Sequence, residues 1–89
     1  MREIRLVEVK MLLYLLKTPN SWNRNGKTLS KKLNITYSTI FKTLKRFKEE
    51  GLIKTKNYDG RKKTNELTIK GKDIAEHLDK IIFLLGERK

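Results

Sequence analysis

The side chains of this sequence that could carry chemistry are basic and hydroxyl-bearing groups, and the densest set of them stands between positions 36 and 63. The candidate residues are Thr36, Tyr37, Ser38, Thr39, Lys42, Lys45, Arg46, Arg61, Lys62 and Lys63. Lys and Arg bind phosphate as cations, and the hydroxyls of Ser, Thr and Tyr contact phosphates or base edges. The expected partner is therefore a polyanion, with nucleic acid as the first candidate and an anionic membrane surface as the second.

Other kinds of chemistry lack the residues they need. The chain has no Cys and a single His, His77, which excludes a disulfide framework, a thiolate nucleophile and a zinc cluster. It has neither paired carboxylates in an apolar setting nor a glycine-rich phosphate loop. We therefore expect no enzymatic activity, no metal and no cofactor.

The apolar segments are too short for a membrane span. The longest apolar run, from Met11 to Leu16, has six residues, whereas a membrane helix needs roughly 20. The first residues alternate charged and apolar types, unlike the unbroken apolar stretch of a secretory signal. We expect a soluble, cytoplasmic protein.

The positive charge of the chain is concentrated in its middle. The 89 residues include 22 Lys and Arg against 10 Asp and Glu, which gives a net charge of +12. Segment 21–41 carries +4 without any acidic residue and segment 42–63 carries +6, whereas segment 64–89 is neutral. A diffuse charge would favour solubility or a membrane surface, so this concentration favours DNA. The length allows one small domain, residues 1–89.

Apolar spacing predicts two helices in the first third of the chain. The first covers residues 3–17 and ends before Pro19, because the residue before a proline avoids helical dihedrals. Its two neighbouring apolar stripes are Leu6, Val9, Leu13 and Leu16, and Ile4, Val7, Met11, Tyr14 and Leu15. The second helix is short, over residues 27–33, and Asn34 after it is suited to a left-handed turn.

A third helix is predicted from Thr36 to Glu50. Its buried stripe is Ile40, Leu44 and Phe47. At 100° per residue, the residues opposite that stripe are Ser38, Lys42, Lys45 and Glu49. Thr36 can cap this helix with its hydroxyl, and Gly51 can close it with a positive φ. Phe41 stands at the edge of the stripe, where we expect it to join the core.

After this helix, the spacing of the apolar residues changes to the one typical of β-strands. Residues 52–56 and 64–68 are typical of strands, and Asp59-Gly60 between them is a strong turn signal. A last helix follows Thr68. This order of elements is typical of a mostly helical α+β fold, the winged helix-turn-helix. Its units are the helix-turn-helix at 27–50, the wing at 52–68 and the C-terminal helix at 69–85.

In this fold the third helix enters the major groove of DNA and the short helix braces it. The residues expected at base edges are Tyr37, Ser38, Thr39 and Lys42, with Thr36 beside them. Lys45 and Arg46 are better placed for phosphates, and the wing tip would present Arg61, Lys62 and Lys63. The alternative for the helix cations is an ordinary solvated surface. We expect Trp22 to fill the core under its loop rather than to stack on a base.

The wing residues resemble those of the MarR-type winged-helix family, the multiple-antibiotic-resistance regulators. That family's pattern is Asp-x-Arg, five residues, and Leu-Thr-x-x-Gly. This sequence has Asp59-Gly60-Arg61, five residues, and Leu67-Thr68-Ile69-Lys70-Gly71. Residues 35–40 and 47–53 resemble the start and the end of the family's recognition helix.

The resemblance implies that Arg61 enters the minor groove, that Asp59 orders the wing turn, and that Thr68 caps the last helix. Tyr37 departs from the family, which usually has a small residue such as Pro there. Usual members are also longer, with extra terminal helices that form a dimer layer and a ligand pocket. A small-molecule effector is therefore not expected, and the chain is more similar to minimal single-domain regulators of archaea and their viruses.

The first and last helices carry more apolar surface than one small core needs. We expect a symmetric homodimer through these helices. The expected interface residues are Ile4, Val7, Met11, Tyr14, Ile81, Ile82 and Leu85. The two recognition helices would then lie about one DNA turn apart, roughly 34 Å. The alternative is that both stripes close the core of a monomer.

These predictions favour a sequence-specific regulator of transcription, in the simplest case a repressor that occludes a promoter. Two other functions fit the same residues. One is a sequence-tolerant architectural protein that binds DNA or RNA, and the other is a winged helix that binds proteins within the transcription machinery.

Overall fold

The computed structural model describes residues 3–18, 25–58 and 62–86, with residues 56–58 and 62–63 described by their backbone alone. Within these ranges the chain forms four helices and one two-stranded antiparallel sheet. The elements are α1 (Leu6–Lys17), α2 (Gly26–Leu33), α3 (Tyr37–Glu49), β1 (Ile53–Tyr58), β2 (Lys62–Leu67) and α4 (Ile69–Leu84). The predicted winged helix-turn-helix architecture is confirmed. The predictions for Pro19 and Trp22 lie outside the described residues.

The core joins one face of every helix to the root of the hairpin. Its buried apolar residues are Met11, Leu12, Leu15, Leu29, Ile40, Leu44, Phe47, Leu52, Ile53 and Ala75. The predicted stripe of α3 is confirmed, because all three of its members are in this set. The neighbouring Phe41 is 60% exposed, so the expectation that it joins the core is wrong.

The helix α1 buries part of the second predicted stripe, Met11 and Leu15, together with two positions outside both stripes, Glu8 and Leu12. Its buried positions are Glu8, Met11, Leu12 and Leu15, whereas Leu6 is 68% exposed. Packing against α4, the helix it contacts most extensively, selects this face. Met11 is 0% exposed within the single chain. It has no surface to offer a partner, which corrects its place in the predicted dimer interface.

The turn between α2 and α3 contains a left-handed residue at the position that the sequence predicts. Asn34 adopts a φ of 56°, the left-handed conformation predicted for it. The Ser30 hydroxyl donates to the Ile35 carbonyl across the turn.

Asn25 caps α2 by accepting a hydrogen bond from the Thr28 amide at 2.8 Å, so the helix begins at Gly26, one residue earlier than predicted.

The cap predicted for α3 is wrong. Thr36 occupies the N-cap position, but its side chain makes no capping hydrogen bond to the helix backbone. Its hydroxyl instead donates to the Thr39 hydroxyl at 2.9 Å. At the other end of the helix, Gly51 has the predicted positive φ, 74°.

The hairpin is joined firmly to the start of α4. The two strands are antiparallel, and their register pairs Ile53 with Leu67. The first and last residues of each strand differ by one or two positions from the predicted ranges. Thr68 accepts a hydrogen bond from the Gly71 amide at 3.1 Å, which confirms the N-cap that the MarR resemblance implies. The Thr68 amide donates to the Leu52 carbonyl at 3.0 Å, and its hydroxyl lies 2.6 Å from the Gly51 carbonyl oxygen.

The helix α4 approaches the hairpin root at a glycine. A Cβ atom built on Gly71 would lie far inside 3.0 Å of the Leu52 carbonyl oxygen, so only glycine fits this position without a shift of the backbone. Ala75, one turn later, is fully buried, whereas Ile81 and Leu85 are exposed. The first half of α4 therefore belongs to the core, and its last turns do not. None of the described helices is long and apolar enough to cross a membrane.

Candidate nucleic-acid interface

The outward face of α3 brings together most of the predicted contact residues. The buried stripe holds one side of the helix against the core, so the opposite side must face outward. Ser38, Lys42 and Lys45 are exposed on that side, and Arg46 is exposed at its edge. Thr39 is half-buried. These residues form one continuous polar surface along α3, which is wide enough to contact a groove of a nucleic acid.

The first turn of α3 presents hydroxyl groups beside backbone amides. The Thr36 and Thr39 hydroxyls are hydrogen-bonded to each other, and the Thr43 hydroxyl donates to the Thr39 carbonyl at 2.8 Å. Because Thr36 does not cap the helix with its side chain, the first amides of α3 receive no side-chain cap. A helix N-terminus with open amides and a partial positive charge favours a phosphate oxygen.

The electrostatic character of this region is uniformly positive. From Val9 to Lys48 the sequence contains ten Lys and Arg residues and no Asp or Glu. The first acidic groups after that run lie at the end of α3, where Arg46 Nε stands 4.0 Å from the Glu50 carboxylate. Such an exposed pair holds its partners weakly. Acidic groups therefore stand only at the C-terminal end of α3, at Glu49 and Glu50, and Lys42 has none within one helical turn along the sequence.

Two aromatic rings flank the polar face and were missed as a unit by sequence reasoning. Tyr37 and Phe41 are 53% and 60% exposed, and their ring centroids lie 6.4 Å apart at an interplanar angle of 24°. Their i, i+4 spacing is the sequence signal that could have revealed the pair, because such residues are neighbours on a helix surface.

The wing is described only in part. The hairpin places its turn between Tyr58 and Lys62, at the predicted position. Asp59 and Arg61 lie outside the described residues. Lys62 and Lys63 open β2, and their side chains are not described. The roles assigned to these four residues stay predictions.

Exposed apolar residues lie at both ends of the pair formed by α1 and α4. Ile4, Leu6 and Ile69 are at one end of the pair, and Ile81, Phe83, Leu84 and Leu85 are at the other. Of the other predicted interface residues, Val7 and Tyr14 pack partly against the core, and Ile82 is half-buried. An ion pair of 3.1 Å between Lys17 Nζ and Asp79 Oδ1 ties the two helices together.

A pocket of about 280 Å³ lies behind the helix-turn-helix, between α1, α3 and α4. Its lining is mostly apolar and includes Leu12, Phe47 and Ile74, with Glu8 at one side. The Glu8 carboxylate accepts a hydrogen bond of 2.7 Å from the Arg5 amide. The expectation that the chain has no effector stays a prediction. Among the described residues, no group of three or more His, Asp or Glu side chains could hold a metal ion.

Comparison with known proteins identifies the fold by two routes. Residues 7–84 match the family described as ArnR1-like, winged-helix domain. This description is of a winged-helix domain, in agreement with the prediction that the chain is not an enzyme. No curated protein sequence matches the chain significantly.

Solved structures of similar fold include regulators and a protein of similar length. MepR of Staphylococcus aureus, a transcription regulator of the multidrug efflux pump MepA, superposes with a TM-score of 0.81 at 21% identity, over 96% of this chain and 62% of MepR. AF1382 of Archaeoglobus fulgidus gives 0.76 at 24% identity, over 92% of this chain and 90% of AF1382. A MarR-family transcriptional regulator from Rhodococcus sp. RHA1 gives 0.73 at 16% identity, over 85% of this chain and 53% of that regulator.

These likenesses confirm the MarR-type winged helix-turn-helix as a fold. The chain spans less than two thirds of the length of MepR and of the Rhodococcus regulator, but nearly all of AF1382.

Proposed function

Because this chain belongs to the ArnR1-like winged-helix domain family, we propose that it is a sequence-specific regulator of transcription that binds double-stranded DNA. One observation supports the proposal above the others. The outward face of α3 is polar, exposed and basic as far as Lys48, where a run of 40 residues without an acidic group ends, and Glu49 follows at the last position of the helix. A surface of this kind matches the phosphate-lined major groove in both charge and width.

In the proposed complex, α3 lies in the major groove, which is about 12 Å wide and admits one helix. Tyr37, Ser38, Thr39 and Lys42 reach base edges, with Thr36 at the entry of the helix. Lys45 and Arg46 bind phosphates, because their long side chains extend from the sides of the helix to the groove walls. Phosphate contacts of this kind fix the orientation of the helix, and base contacts supply the sequence specificity.

The wing lies against the neighbouring minor groove. Arg61 enters that groove, Asp59 orders the turn, and Lys62 and Lys63 bind the backbone. These roles follow from the MarR resemblance of the wing motif. They are supported by the hairpin itself, in which β1 and β2 pair between the recognition helix α3 and α4 in the chain.

The active species is a homodimer formed through α1 and α4. The proposed interface consists of Ile4, Val7, Tyr14, Ile81, Ile82 and Leu85, to which Phe83 and Leu84 are added because they are exposed. The five consecutive apolar residues 81–85, four of them more than half exposed in the single chain, form an apolar surface that water does not stabilise. Two-fold symmetry would set the recognition helices roughly 34 Å apart, on one face of the DNA.

The bound dimer would act in the cytoplasm as a repressor. A protein that covers about two turns of DNA within a promoter excludes other proteins from the same surface. Repression by occlusion requires no further domain, which fits a small DNA-binding unit.

Binding measured against competitor DNA tests the proposal. Specific binding should survive a roughly thousandfold excess of random DNA at physiological salt. If each protomer neutralises about four phosphates, the plot of log affinity against log salt should have a slope near −7. A slope shallower than about −3 would overturn the proposed mode of binding.

Variants of exposed lysines distinguish base reading from simple charge attraction. Lys42→Ala should lower affinity for the specific site more than for random DNA, because Lys42 is assigned to base edges. Lys80→Ala removes the same charge from the exposed surface of α4 and serves as the matched control. An equal loss of affinity for all sequences in Lys42→Ala would instead support a sequence-tolerant architectural protein. Unchanged function after Arg61→Ala would support a protein-binding winged helix.

A further inference from the structure

The exposed aromatic pair on α3 is the feature that charge attraction leaves unexplained. Tyr37 and Phe41 each keep more than half of their side-chain surface in water. Large apolar groups exposed together on a small domain mark an interaction surface. Neither ring supports the core, since the buried stripe of α3 is complete without them.

The pair is held in place before any partner arrives. A Cβ atom built on Gly26 would lie 3.6 Å from the Tyr37 ring, so the tyrosine ring lies beside the start of α2. Phe41 in turn lies stacked beside Tyr37, one helical turn further along. Rings fixed by such contacts lose little conformational entropy on binding.

The position of the pair indicates what it meets. At 100° per residue, Phe41 lies about 40° from Lys45 and about 60° from Ser38 around the axis of α3. The rings therefore border the same face that carries the proposed base-reading groups. A molecule that docks on Ser38 and Lys45 must also come against the aromatic edge.

The chemistry of the major groove supplies one apolar group that suits this edge. Among the base edges there, the C5 methyl group of thymine is the apolar feature, and side chains such as Phe read it by contact. Exposed cations bordering the rings favour DNA over a protein partner as the occupant, because DNA is uniformly anionic.

We propose that Tyr37 and Phe41 form an apolar platform that reads C5 methyl groups of pyrimidines in the major groove of the operator. Cytosine methylated at C5 presents the same methyl group at the same place, so the platform accepts it in place of thymine. This specificity rests on the proposed function, because it requires that α3 enters the major groove.

The test removes and restores single methyl groups in the DNA. An operator selected with the wild-type protein is synthesised with uracil in place of each thymine in turn, and affinities are measured by fluorescence anisotropy. At the contacted thymine we expect about a fourfold loss, the affinity equivalent of burying one methylene-sized group. Cytosine at that position should also bind more weakly than thymine, and its C5-methylated form should recover affinity by about the same factor.

Protein variants assign the effect to the rings. Phe41→Ala should bind thymine and uracil operators equally, because the methyl contact is gone. Ile69→Ala removes another exposed apolar side chain, at the start of α4 instead of on α3, and should keep the fourfold difference. Thermal melts confirm that both variants are folded.

The outcomes separate this inference from the function on which it rests. Failure to select any specific operator would overturn the proposed function itself. A specific operator that binds equally well with uracil at every thymine position would leave that function standing and overturn the platform. Loss of binding to a protein partner in Phe41→Ala, with the DNA affinities unchanged, would also overturn it.

Discussion

Replacement of Gly71 by alanine tests the joint between the hairpin and α4. The added Cβ would fall far inside 3.0 Å of the Leu52 carbonyl oxygen, which is backbone and cannot rotate away. The helix must therefore move by on the order of 1 Å, the scale of a local backbone shift that accompanies overpacking. That carbonyl accepts the Thr68 amide at 3.0 Å and lies 3.1 Å from the Thr68 hydroxyl, so the movement also strains both contacts.

The cost can be worked out from these contacts. Overpacking costs about 1–3 kcal/mol, and each weakened hydrogen bond adds about 1 kcal/mol. Alanine returns up to about 1 kcal/mol through its better helix propensity. The free energy of unfolding should fall by roughly 2–4 kcal/mol, a large share of what a domain of this size has. At about 4–8 °C per kcal/mol, Tm should drop by at least about 8 °C.

Gly26→Ala is the matched control for this measurement. A Cβ on Gly26 would meet Leu44 Cδ1 and Tyr37 Cε2 at 3.6 Å, which is ordinary contact, and the position is also in the first turn of a helix. Its Tm should equal that of the wild type or exceed it slightly. Circular dichroism melts of the three proteins decide the outcome. A Gly71→Ala protein that melts within about 2 °C of the wild type would refute the close approach of α4 to Leu52.

Three further substitutions test the core, the turn and the dimer. Phe47→Ala should cost about 3–5 kcal/mol because it empties a core site, whereas Phe41→Ala should change stability by less than about 0.5 kcal/mol; urea denaturation measures both, and equal costs would contradict the assignment of Phe41 to the surface. Asn34→Ala should lower the free energy of unfolding by about 1–2 kcal/mol, because residue 34 has a left-handed φ, and Asn34→Gly should lower it less. Chemical denaturation in which the alanine variant is more stable than the glycine variant would contradict this turn geometry. Leu85→Glu should convert the proposed dimer into a folded monomer in sedimentation equilibrium, and an unchanged dimer would exclude Leu85 from the interface.

Much of the fold could be predicted because particular residues admit few alternatives. Asn34 and Gly51 stand where the chain needs a positive φ, and both adopt it. The stripe of α3 could be predicted because Ile40, Leu44 and Phe47 recur at helical spacing. The change of period after Gly51, together with the Asp-Gly turn signal, marks the hairpin without any tertiary information.

The orientation of α1 could not be predicted in the same way. Every residue from Met11 to Leu16 is apolar, so the sequence offers several faces of similar hydrophobicity. The choice is made by packing against α4, which no local pattern records. Burial of Glu8 on this face could not be predicted either. It depends on hydrogen bonds to the Glu8 carboxylate, such as the one that the Arg5 amide donates.

The exposure of the polar residues on α3 could be predicted, whereas the exposure of Phe41 beside Tyr37 could not. Basic and hydroxyl residues at helical spacing can be assigned to an outward face once the buried stripe is known. Phe41 stands at the boundary of that stripe, where a small rotation decides between core and surface. The structure places it outside, because Ile40, Leu44 and Phe47 already fill the space between α3 and the core.

Selection of genomic DNA fragments by the purified protein tests the central claim most directly. If the chain is a dimeric, sequence-specific regulator, the bound fragments should share one pseudo-palindromic sequence, with half-sites about one helical turn, roughly 10 base pairs, apart from centre to centre. Recovery of unrelated fragments, bound with similar affinity, would contradict sequence-specific regulation and leave a protein that binds nucleic acid by charge alone.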